Sequence, residues 1–256
     1  MSTAVPHVTA KLANGEIPLL GFGTWRLSGA DAIRATAAAL GAGYRHLDTA
    51  TMYENEQEVG TALTQSELDR SDVFVTTKLQ ASDAGNPRGA LDRSLRNLQT
   101  PYLDLWLIHW PTGDDAAVWR AFMAARDEGL VRDIGVSNFS VDQIDELAAL
   151  GTTPAVNQIR WSPLLFDADV VAAHEERGVV LEGYSGLKGG TLDHPVIREV
   201  ADQHRRTTAQ VIIRWHLQHG IVVIPKSQDD QRIASNADVG GFELSEQDMS
   251  RLDSLG

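Results

Sequence analysis

The sequence predicts a (β/α)8 barrel, and two observations carry this prediction. Eight short apolar runs alternate with amphipathic stretches whose apolar residues recur with the period of an α-helix. From residue 44 onward, successive apolar runs begin 29, 30, 29, 23, 24 and 42 residues apart. A strand–helix–strand unit needs about 30 residues, and eight such units in about 250 residues are typical of this barrel. A doubly wound open sheet is the alternative fold.

The apolar runs are the predicted barrel strands. They lie at residues 19–24, 44–50, 73–79, 103–110, 132–138, 155–160, 179–185 and 221–227. Two further extended runs, residues 8–12 and 16–20, flank the pair Asn14 and Gly15, and the second of them overlaps the first barrel strand. An Asn-Gly pair between two extended runs is a strong signal for a β-hairpin, which we therefore expect near the N-terminus.

Composition excludes several classes of protein. The 22 Lys+Arg and 35 Asp+Glu residues give a formal charge of −13, which argues against a nucleic-acid-binding protein. The chain has no cysteine, which excludes disulfide bonds, thiolate metal sites and a cysteine nucleophile. Only four residues are lysines, so the position of each one is informative: Lys11, Lys78, Lys188 and Lys226.

No linker or change in composition interrupts the chain, so we expect residues 1–256 to form one domain. The N-terminal segment lacks a basic region followed by an apolar run, and therefore shows no secretory signal. Apolar stretches such as residues 105–108 are too short to cross a bilayer. We expect a cytoplasmic protein and, because a closed barrel has no free sheet edge, a monomer.

Polar residues end several of the predicted strands, where such barrels carry their active sites. Asp48, Lys78 and His109 lie at the ends of the second, third and fourth strands, and Tyr53 follows in the loop after Asp48. Each of these residues alone could be a turn cap, a surface lysine, a core histidine or a packing aromatic. Their coincidence on three neighbouring strand ends favours a shared function.

These four residues suit proton transfer at a carbonyl oxygen. A tyrosine has a pKa near 10, and a lysine ammonium about 4 Å away contributes about 4 kcal/mol at an effective dielectric constant near 20. We therefore predict that Lys78 lowers the pKa of Tyr53 by at most about three pH units, while Asp48 keeps Lys78 charged and in place. His109 is predicted to hydrogen-bond the carbonyl oxygen of a substrate and to orient it.

Five segments of the chain resemble, in order and in spacing, signatures of the aldo-keto reductase family. They are GYRHLDTATMYENE (43–56), VTTKL (75–79), LDLWLIHWP (103–111), GVSNF (135–139) and IPKS (224–227). The similarity extends over essentially the whole chain. Within the family, the chain resembles prokaryotic-type members with a short C-terminus. It implies a barrel whose bottom is closed by the N-terminal hairpin.

The resemblance implies reversible, NADPH-dependent reduction of aldehydes and ketones to alcohols without a metal. In that reaction Tyr53 is the general acid and base. Lys78 and Asp48 tune its pKa, and His109 orients the carbonyl group. The chain has no GxGxxG motif after a strand, which removes a Rossmann site but not dinucleotide binding.

The same resemblance implies a set of cofactor contacts. Ser137, Asn138 and Gln158 match residues that hold the nicotinamide carboxamide, and Tyr184 matches the aromatic residue on which the nicotinamide stacks. Thr24 and Asp48 are implied to contact the nicotinamide ribose. Ser185 and Leu187 fall in the loop that is implied to reach over the pyrophosphate.

Lys226, Ser227 and Arg232 match a pocket for the adenosine 2′-phosphate, and Asn236 matches a residue near the adenine. A dianionic phosphate needs charge-assisted donors, which lysine, arginine and a hydroxyl supply at a strand-to-helix turn. Two such contacts favour NADPH over NADH by up to about 3–6 kcal/mol, less desolvation. Ser235 departs from the family pattern, which commonly has a glutamate there.

The substrate pocket is predicted to be open and apolar, with four residues as its walls: Trp25, Met52, Gln80 and Trp110. Such a mouth suits a small aldehyde or ketone with an apolar or aromatic part, although the sequence does not identify the preferred substrate. Two alternatives stay open at this point. One is a Schiff-base aldolase that uses Lys78, and the other is a non-catalytic NADPH-binding relative with a regulatory or structural role.

Overall fold

The computed structural model describes residues 5–256, so the first four residues of the predicted domain lie outside the described residues. A hairpin of β1 (Thr9–Lys11) and β2 (Glu16–Pro18) comes first. The other strands are β3 (Phe22–Gly23), β4 (His46–Asp48), β5 (Phe74–Leu79), β6 (Leu103–Ile108), β7 (Val131–Ser137), β8 (Val156–Arg160), β9 (Val180–Tyr184) and β10 (Val222–Val223). The α-helices are α1 (Gly29–Gly41), α2 (Glu56–Gln65), α3 (Pro87–Asn97), α4 (Asp115–Asp127), α5 (Val141–Ala148), α6 (Ala168–Glu175), α7 (Pro195–His204), α8 (Thr208–Gln218), α9 (Asp230–Ala237) and α10 (Glu246–Asp253).

Strands β3 to β10 form one parallel sheet in which the spatial order follows the sequence order. A parallel bridge between Leu20 and Val223 joins the two edges of this sheet. The Val223 N–H donates to the Leu19 carbonyl oxygen at 2.8 Å, and the Gly21 N–H donates to the Val223 carbonyl oxygen at 2.9 Å. The sheet therefore closes into a barrel, which confirms the predicted fold class and excludes the open sheet.

The first and last barrel strands are shorter than predicted. Regular pairing covers only β3 and β10, whereas the sequence indicated residues 19–24 and 221–227. Pro225 has no N–H with which to extend the ladder, so β10 stops before it. The Pro225 carbonyl oxygen still accepts the Gly23 N–H at 3.1 Å, so the backbone stays closed beyond the regular strands.

The N-terminal hairpin lies across the amino-terminal end of the barrel. The Asn14 Nδ2 donates to the Arg132 carbonyl oxygen at 2.9 Å and to the Asp133 Oδ1 at 3.2 Å, and both of these residues begin β7. Ile17 of β2 is fully buried. The predicted hairpin is confirmed, and it closes the bottom of the barrel while the carboxyl ends of the strands remain accessible.

Helices cover the outside of the barrel through apolar contacts. The Trp106 ring of β6 stacks on the Phe122 ring of α4, with centroids 3.6 Å apart and planes 3° from parallel. This face-to-face contact removes the apolar surface of two fully buried aromatic rings from water. Such packing fixes the strands and therefore the residues at their ends. None of the helices in residues 5–256 combines the length and apolar character that a bilayer crossing requires.

Candidate active site

A cavity of about 580 Å³ opens at the carboxyl ends of the barrel strands. Most of the residues predicted for the site contribute to its wall. They are Trp25, Asp48, Met52, Tyr53, His109, Trp110, Ser137, Asn138, Gln158, Tyr184, Ser185, Leu187, Lys226, Ser227, Arg232 and Asn236. The fold thus brings together residues from both halves of the chain at one end of the barrel.

Three predicted site residues do not line the cavity. Lys78 is fully buried beneath its floor. Thr24 is also fully buried, and its hydroxyl donates to the Asp48 carbonyl oxygen at 2.9 Å, so it supports the backbone of Asp48 and does not face the cavity. The side-chain amide of Gln80 donates to the Asp83 Oδ2 at 3.1 Å, and the structure does not place Gln80 at the expected substrate wall.

Lys78 and Asp48 form a buried ion pair. The Lys78 Nζ lies 2.6 and 2.7 Å from the two carboxylate oxygens of Asp48 and donates to the Thr49 carbonyl oxygen at 2.9 Å. The Gln158 Nε2 also donates to the Asp48 Oδ2, at 2.9 Å. Burial lowers the pKa of Lys78, but the negative charge of Asp48 and the contact with Tyr53 raise it by more. Lys78 is therefore a charged ammonium at neutral pH.

Tyr53 extends over this ion pair from the loop after β4. Its hydroxyl oxygen lies 3.4 Å from the Lys78 Nζ. Burial raises the pKa of Tyr53 by more than Lys78 lowers it, and Asp48 raises it further. The predicted net lowering of this pKa is therefore wrong, because the desolvation of the phenol, together with the charge of Asp48, outweighs the attraction of the ammonium. Tyr53 is a neutral hydroxyl at neutral pH and has a proton to donate.

His109 lies beside Tyr53, with the two ring centroids 5.8 Å apart and the rings edge to face. Burial and the nearby charge of Lys78 lower the pKa of His109 to about 3, so the imidazole is neutral. Its Nδ1 has no hydrogen-bond partner among residues 5–256. The backbone N–H of His109 donates to the Leu79 carbonyl oxygen at 3.0 Å, which fixes the residue at the end of β6. A neutral imidazole held in this way can donate a hydrogen bond to an oxygen next to the Tyr53 hydroxyl.

The loop that carries Tyr53 is held by polar side chains that the sequence did not single out. Tyr53 ends a short 3-10 helix, Thr51–Tyr53. The Thr51 hydroxyl donates to a carbonyl oxygen of β5 at 3.0 Å. The fully buried Asn55 donates to the carbonyl oxygens of Thr24 and Leu27 at 2.8 and 2.9 Å. Asn55 falls in the segment 43–56, but no chemistry of its own marked it as a positioning residue.

Polar and aromatic side chains from the ends of β7, β8 and β9 border the ion pair. The Ser137 hydroxyl donates to the Gln158 carbonyl oxygen at 2.8 Å, and the Asn138 Nδ2 donates to the His109 carbonyl oxygen at 3.1 Å. The Tyr184 hydroxyl donates to the Asn138 Oδ1 at 2.8 Å. Asn138 adopts a left-handed backbone conformation with φ of 63°, which turns the chain from β7 along the cavity wall. These bonds fix one aromatic face and a row of amides at the floor of the cavity.

Cationic residues surround the other end of the cavity, near the start of α9. Lys226 is exposed and forms no ion pair within residues 5–256, and the Arg232 side chain is 74% exposed. The Ser227 hydroxyl accepts the Asp229 N–H at 3.0 Å, which shapes the turn into α9. Burial and the neighbouring charges of Arg26 and Arg232 lower the pKa of Lys226. Arg232 lies 3.9 Å from the Asp229 carboxylate, whereas the exposed Lys226 is left to pair with an anion, and positive charge next to a helix N-terminus suits a bound phosphate.

Arg26 and Lys188 extend this cationic region, and the sequence did not identify either of them. The Lys188 Nζ lies 4.0 Å from the centroid of the Trp25 ring, and the Arg26 guanidinium carbon lies 4.3 Å from it. Burial and the charges of Arg26, Lys226 and Arg160 lower the pKa of Lys188, which also lines the cavity. Two features of the sequence could have indicated that Lys188 lines the cavity. Lysine is rare in this chain, and Lys188 follows Tyr184 by four residues.

The mouth of the cavity is apolar and exposed. Trp25, Met52 and Trp110 are 38%, 48% and 49% exposed, and all three belong to the cavity wall. Isolated exposed apolar residues are common on protein surfaces, but three of them around one opening form a patch that a ligand can cover. Of the four residues predicted to form the wall of the substrate pocket, all except Gln80 thus lie together at the entrance above Tyr53 and His109.

The barrel and its buried Tyr–Lys–Asp–His cluster define a class of oxidoreductases that act on carbonyl groups without a Rossmann domain. The sequence profile of the Aldo/keto reductase family matches residues 19–256. An aldo-keto reductase of Mycolicibacterium smegmatis is 46% identical over 257 residues, which cover 98% of this chain and 93% of the relative. A glyoxal reductase of Bacillus subtilis is 41% identical, with 96% of this chain and 92% of the relative covered.

A solved structure supports the same relationship. The crystal structure of an aldo/keto reductase from Brucella melitensis superposes with a TM-score of 0.94 at 41% sequence identity, and the match covers 98% of this chain and 100% of that chain. The chain belongs to the aldo/keto reductase family. It is therefore an oxidoreductase of a family that uses nicotinamide cofactors.

Proposed function

We propose that the protein reduces aldehydes and ketones to alcohols, with NADPH supplying the hydride when bound and the Tyr53 hydroxyl supplying the proton. One observation carries this proposal. The Tyr53 hydroxyl lies 3.4 Å from a buried ammonium, beside a neutral His109, and both side chains face one accessible cavity. A positioned acid of this kind contributes about 10²–10⁴-fold to a rate.

The proton donor acts through its neighbours. When a carbonyl oxygen gains negative charge next to Tyr53, the phenol transfers its proton, and the phenolate that remains lies beside the Lys78 ammonium. Asp48 holds that ammonium in place through both carboxylate oxygens. The proton transfer therefore takes place over an ion pair that is already assembled, so little reorganisation is needed.

His109 orients the substrate in this proposal. Because the low pKa of His109 keeps the imidazole neutral, the ring is not an acidic imidazolium that would compete with Tyr53 as the proton donor to the developing oxyanion. Its edge-to-face position beside Tyr53 lets one carbonyl oxygen accept hydrogen bonds from both side chains. The apolar rim of Trp25, Met52 and Trp110 then contacts the remainder of the substrate.

The residues of the cavity fit the cofactor chemically. The amides and hydroxyl of Ser137, Asn138 and Gln158 suit a carboxamide, and the ring of Tyr184 suits a flat heterocycle. At the other end, Lys226, Ser227 and Arg232 provide two cations and a hydroxyl for a 2′-phosphate. This donor set favours NADPH over NADH.

The alternatives are less well supported. The Lys78 Nζ donates to Asp48 and Thr49, and these contacts together with a raised pKa leave no free amine for a Schiff base. A non-catalytic binding role does not explain why all four of the expected chemical groups are assembled at the cavity. As a test of the aldolase alternative, borohydride treatment in the presence of a carbonyl substrate should leave no adduct on Lys78.

The test of the proposal is NADPH oxidation across a panel of aldehydes, ketones and dicarbonyls. Since one relative is a glyoxal reductase, the panel includes glyoxal and methylglyoxal beside aromatic aldehydes. We expect turnover with at least one carbonyl class, and no turnover in any of them would contradict the proposal. That the chain is a monomeric, cytoplasmic, single-domain protein stays a prediction, and light scattering after size-exclusion chromatography tests the monomer.

A further inference from the structure

A carboxyl group that the proposed mechanism does not use lies inside the barrel below the active-site ion pair. Glu182 is fully buried in the middle of β9, in register with Gln158 on β8 and Val222 on β10. Neither of its side-chain oxygens has a hydrogen-bond partner among residues 5–256. An ionised carboxylate without donors is costly to bury, so this environment favours the neutral acid.

The charged and titratable groups that act on Glu182 come from β4 and β5, and the uncharged Gln158 acts on it from the neighbouring strand β8. The His46 Nε2 of β4 lies 4.0 Å from the Glu182 Oε1, and the charges of Asp48 and Lys78 also reach this carboxyl. The pairing partners on β8 and β10, Gln158 and Val222, do not titrate.

Histidines are the remaining titratable groups around Glu182. Burial is the largest cause that lowers the pKa of His46, to about 4, and of His216 on α8, also to about 4. Burial likewise lowers the pKa of His174 on α6. His174 and His216 lie on helices outside the barrel wall, next to β9. All three imidazoles are neutral at neutral pH, so Asp48 and Lys78 are the charges that Glu182 senses.

Two carboxyl groups of the same barrel interior thus have different surroundings. Asp48 accepts hydrogen bonds from Lys78 and Gln158 and is the counterion of the ammonium. Burial and the negative charge of Asp48 raise the pKa of Glu182 to about 8, although the charge of Lys78 and the neighbouring side-chain amide of Gln158 oppose this effect. Tyr53 is coupled to the same group, because the charge of an ionised Glu182 raises the pKa of the phenol.

We propose that Glu182 is a positioning residue for proton transfer: as a neutral acid it leaves Lys78 balanced by Asp48 alone, and when ionised it makes Tyr53 a weaker proton donor. This inference rests on the proposed function, in which Tyr53 donates the proton. It predicts a pH dependence that originates in a residue with no contact to substrate or cofactor.

The activity test compares Glu182→Gln with wild type in carbonyl reduction at saturating NADPH. As the pH rises through the range in which Glu182 ionises, the wild type gains a negative charge below Lys78 and the variant does not. We therefore expect the ratio of kcat/KM, variant over wild type, to rise about five- to tenfold between pH 6 and pH 9. If the role of Glu182 were purely structural, the variant could be less active than wild type, but the ratio of kcat/KM would be the same at every pH.

The matched control is Asp133→Asn. Burial also raises the pKa of Asp133, but this carboxyl lies at the bottom of the barrel, where it accepts hydrogen bonds from Asn14. The ratio of kcat/KM for Asp133→Asn over wild type should stay constant from pH 6 to pH 9. If Glu182→Gln does not fold, Glu182→Leu is also uncharged and gives the same comparison.

A titration of the phenol separates this inference from the proposed function. The absorbance difference between wild type and Tyr53→Phe reports the ionisation of Tyr53 without any turnover. In the Glu182→Gln background we expect this ionisation at a pH lower by about one unit. If the titration shifts but no carbonyl is reduced, the proposed function fails and the coupling of Glu182 to Tyr53 stands. An unshifted titration together with a pH-independent rate ratio overturns the inference.

Discussion

Lysines at the two ends of the cavity are held in opposite environments. Lys78 is fully buried, and its ammonium donates to Asp48 and Thr49 at distances of 2.6 to 2.9 Å. Lys226 is exposed, and the charges that act on it, those of Arg26 and Arg232, are also positive. The first lysine has its counterion built into the protein, whereas the second has none within residues 5–256 and is suited to an anion from outside.

This difference separates two kinds of contribution to function. At the proton-transfer end, the arrangement of charges is complete before a ligand binds, and a change there should affect both folding and chemistry. At the other end, around Lys226 and Arg232, which we call the phosphate end, burial and the repulsion of Arg26 and Arg232 lower the pKa of Lys226, and a bound phosphate would relieve that repulsion. A change at this end should affect cofactor affinity and leave the fold intact.

The largest expected effect is that of Tyr53→Phe on turnover. The substitution removes only the hydroxyl, so the ring should still pack beside His109. We expect kcat for carbonyl reduction to fall by about 10²–10⁴-fold, because Tyr53 is the proposed proton source and His109, the other donor to the carbonyl oxygen, is neutral, while the dissociation constant of NADPH stays within about twofold. Rapid-mixing kinetics and fluorescence titration measure the two quantities. Turnover close to that of wild type would show that the proton comes from another group.

The second prediction concerns Lys78→Met, which breaks the buried pair. Asp48 is then left in the interior with Gln158 as its remaining side-chain donor. We expect the free energy of unfolding to fall by about 3–5 kcal/mol, measured by urea denaturation, together with a loss of activity. Lys11→Met, at an exposed position of the hairpin, should change the free energy of unfolding little. Equal stabilities of the two variants would contradict the comparison between buried and exposed lysines.

The sequence was sufficient for the barrel and for the positions of Asp48, Lys78 and His109, because strand spacing and strand ends are local properties. The direction of the pKa of Tyr53 was not predictable, since it depends on how deeply the folded protein buries the phenol. Glu182 interrupts the apolar run of β9, and an acidic residue in such a run is a signal that spacing arguments overlook.

The third prediction tests the phosphate end through Lys226→Ala. We expect the dissociation constant of NADPH to rise about 10- to 100-fold and that of NADH to change by less than about threefold, because only NADPH carries the 2′-phosphate. The free energy of unfolding should stay close to that of wild type, since Lys226 is exposed. Isothermal titration with both cofactors measures this effect, with Lys11→Ala as the control. Equal losses for the two cofactors would remove the assignment of the 2′-phosphate to this pocket.

The smallest expected effect is that of Lys188→Met, and it tests whether every cation of the phosphate end discriminates between the cofactors. Lys188 lies over the Trp25 ring and shares its loop with Ser185 and Leu187, which the family resemblance assigns to the pyrophosphate. The pyrophosphate is common to NADPH and NADH. We therefore expect both dissociation constants to rise by the same factor of about two to five, which corresponds to the loss of one exposed cation–π contact and one nearby charge.

This factor should shrink as salt is added, because the screening length falls below the distances between exposed charges. Lys188→Arg keeps both the charge and the contact with Trp25 and should bind the two cofactors as wild type does. Titrations at low and high ionic strength measure the effect. A loss confined to NADPH would place Lys188 in the 2′-phosphate pocket beside Lys226, and the phosphate end would then be a single site for one phosphate group. A loss shared by both cofactors divides that end into a discriminating part at α9 and a general anion-binding part in the loop after β9.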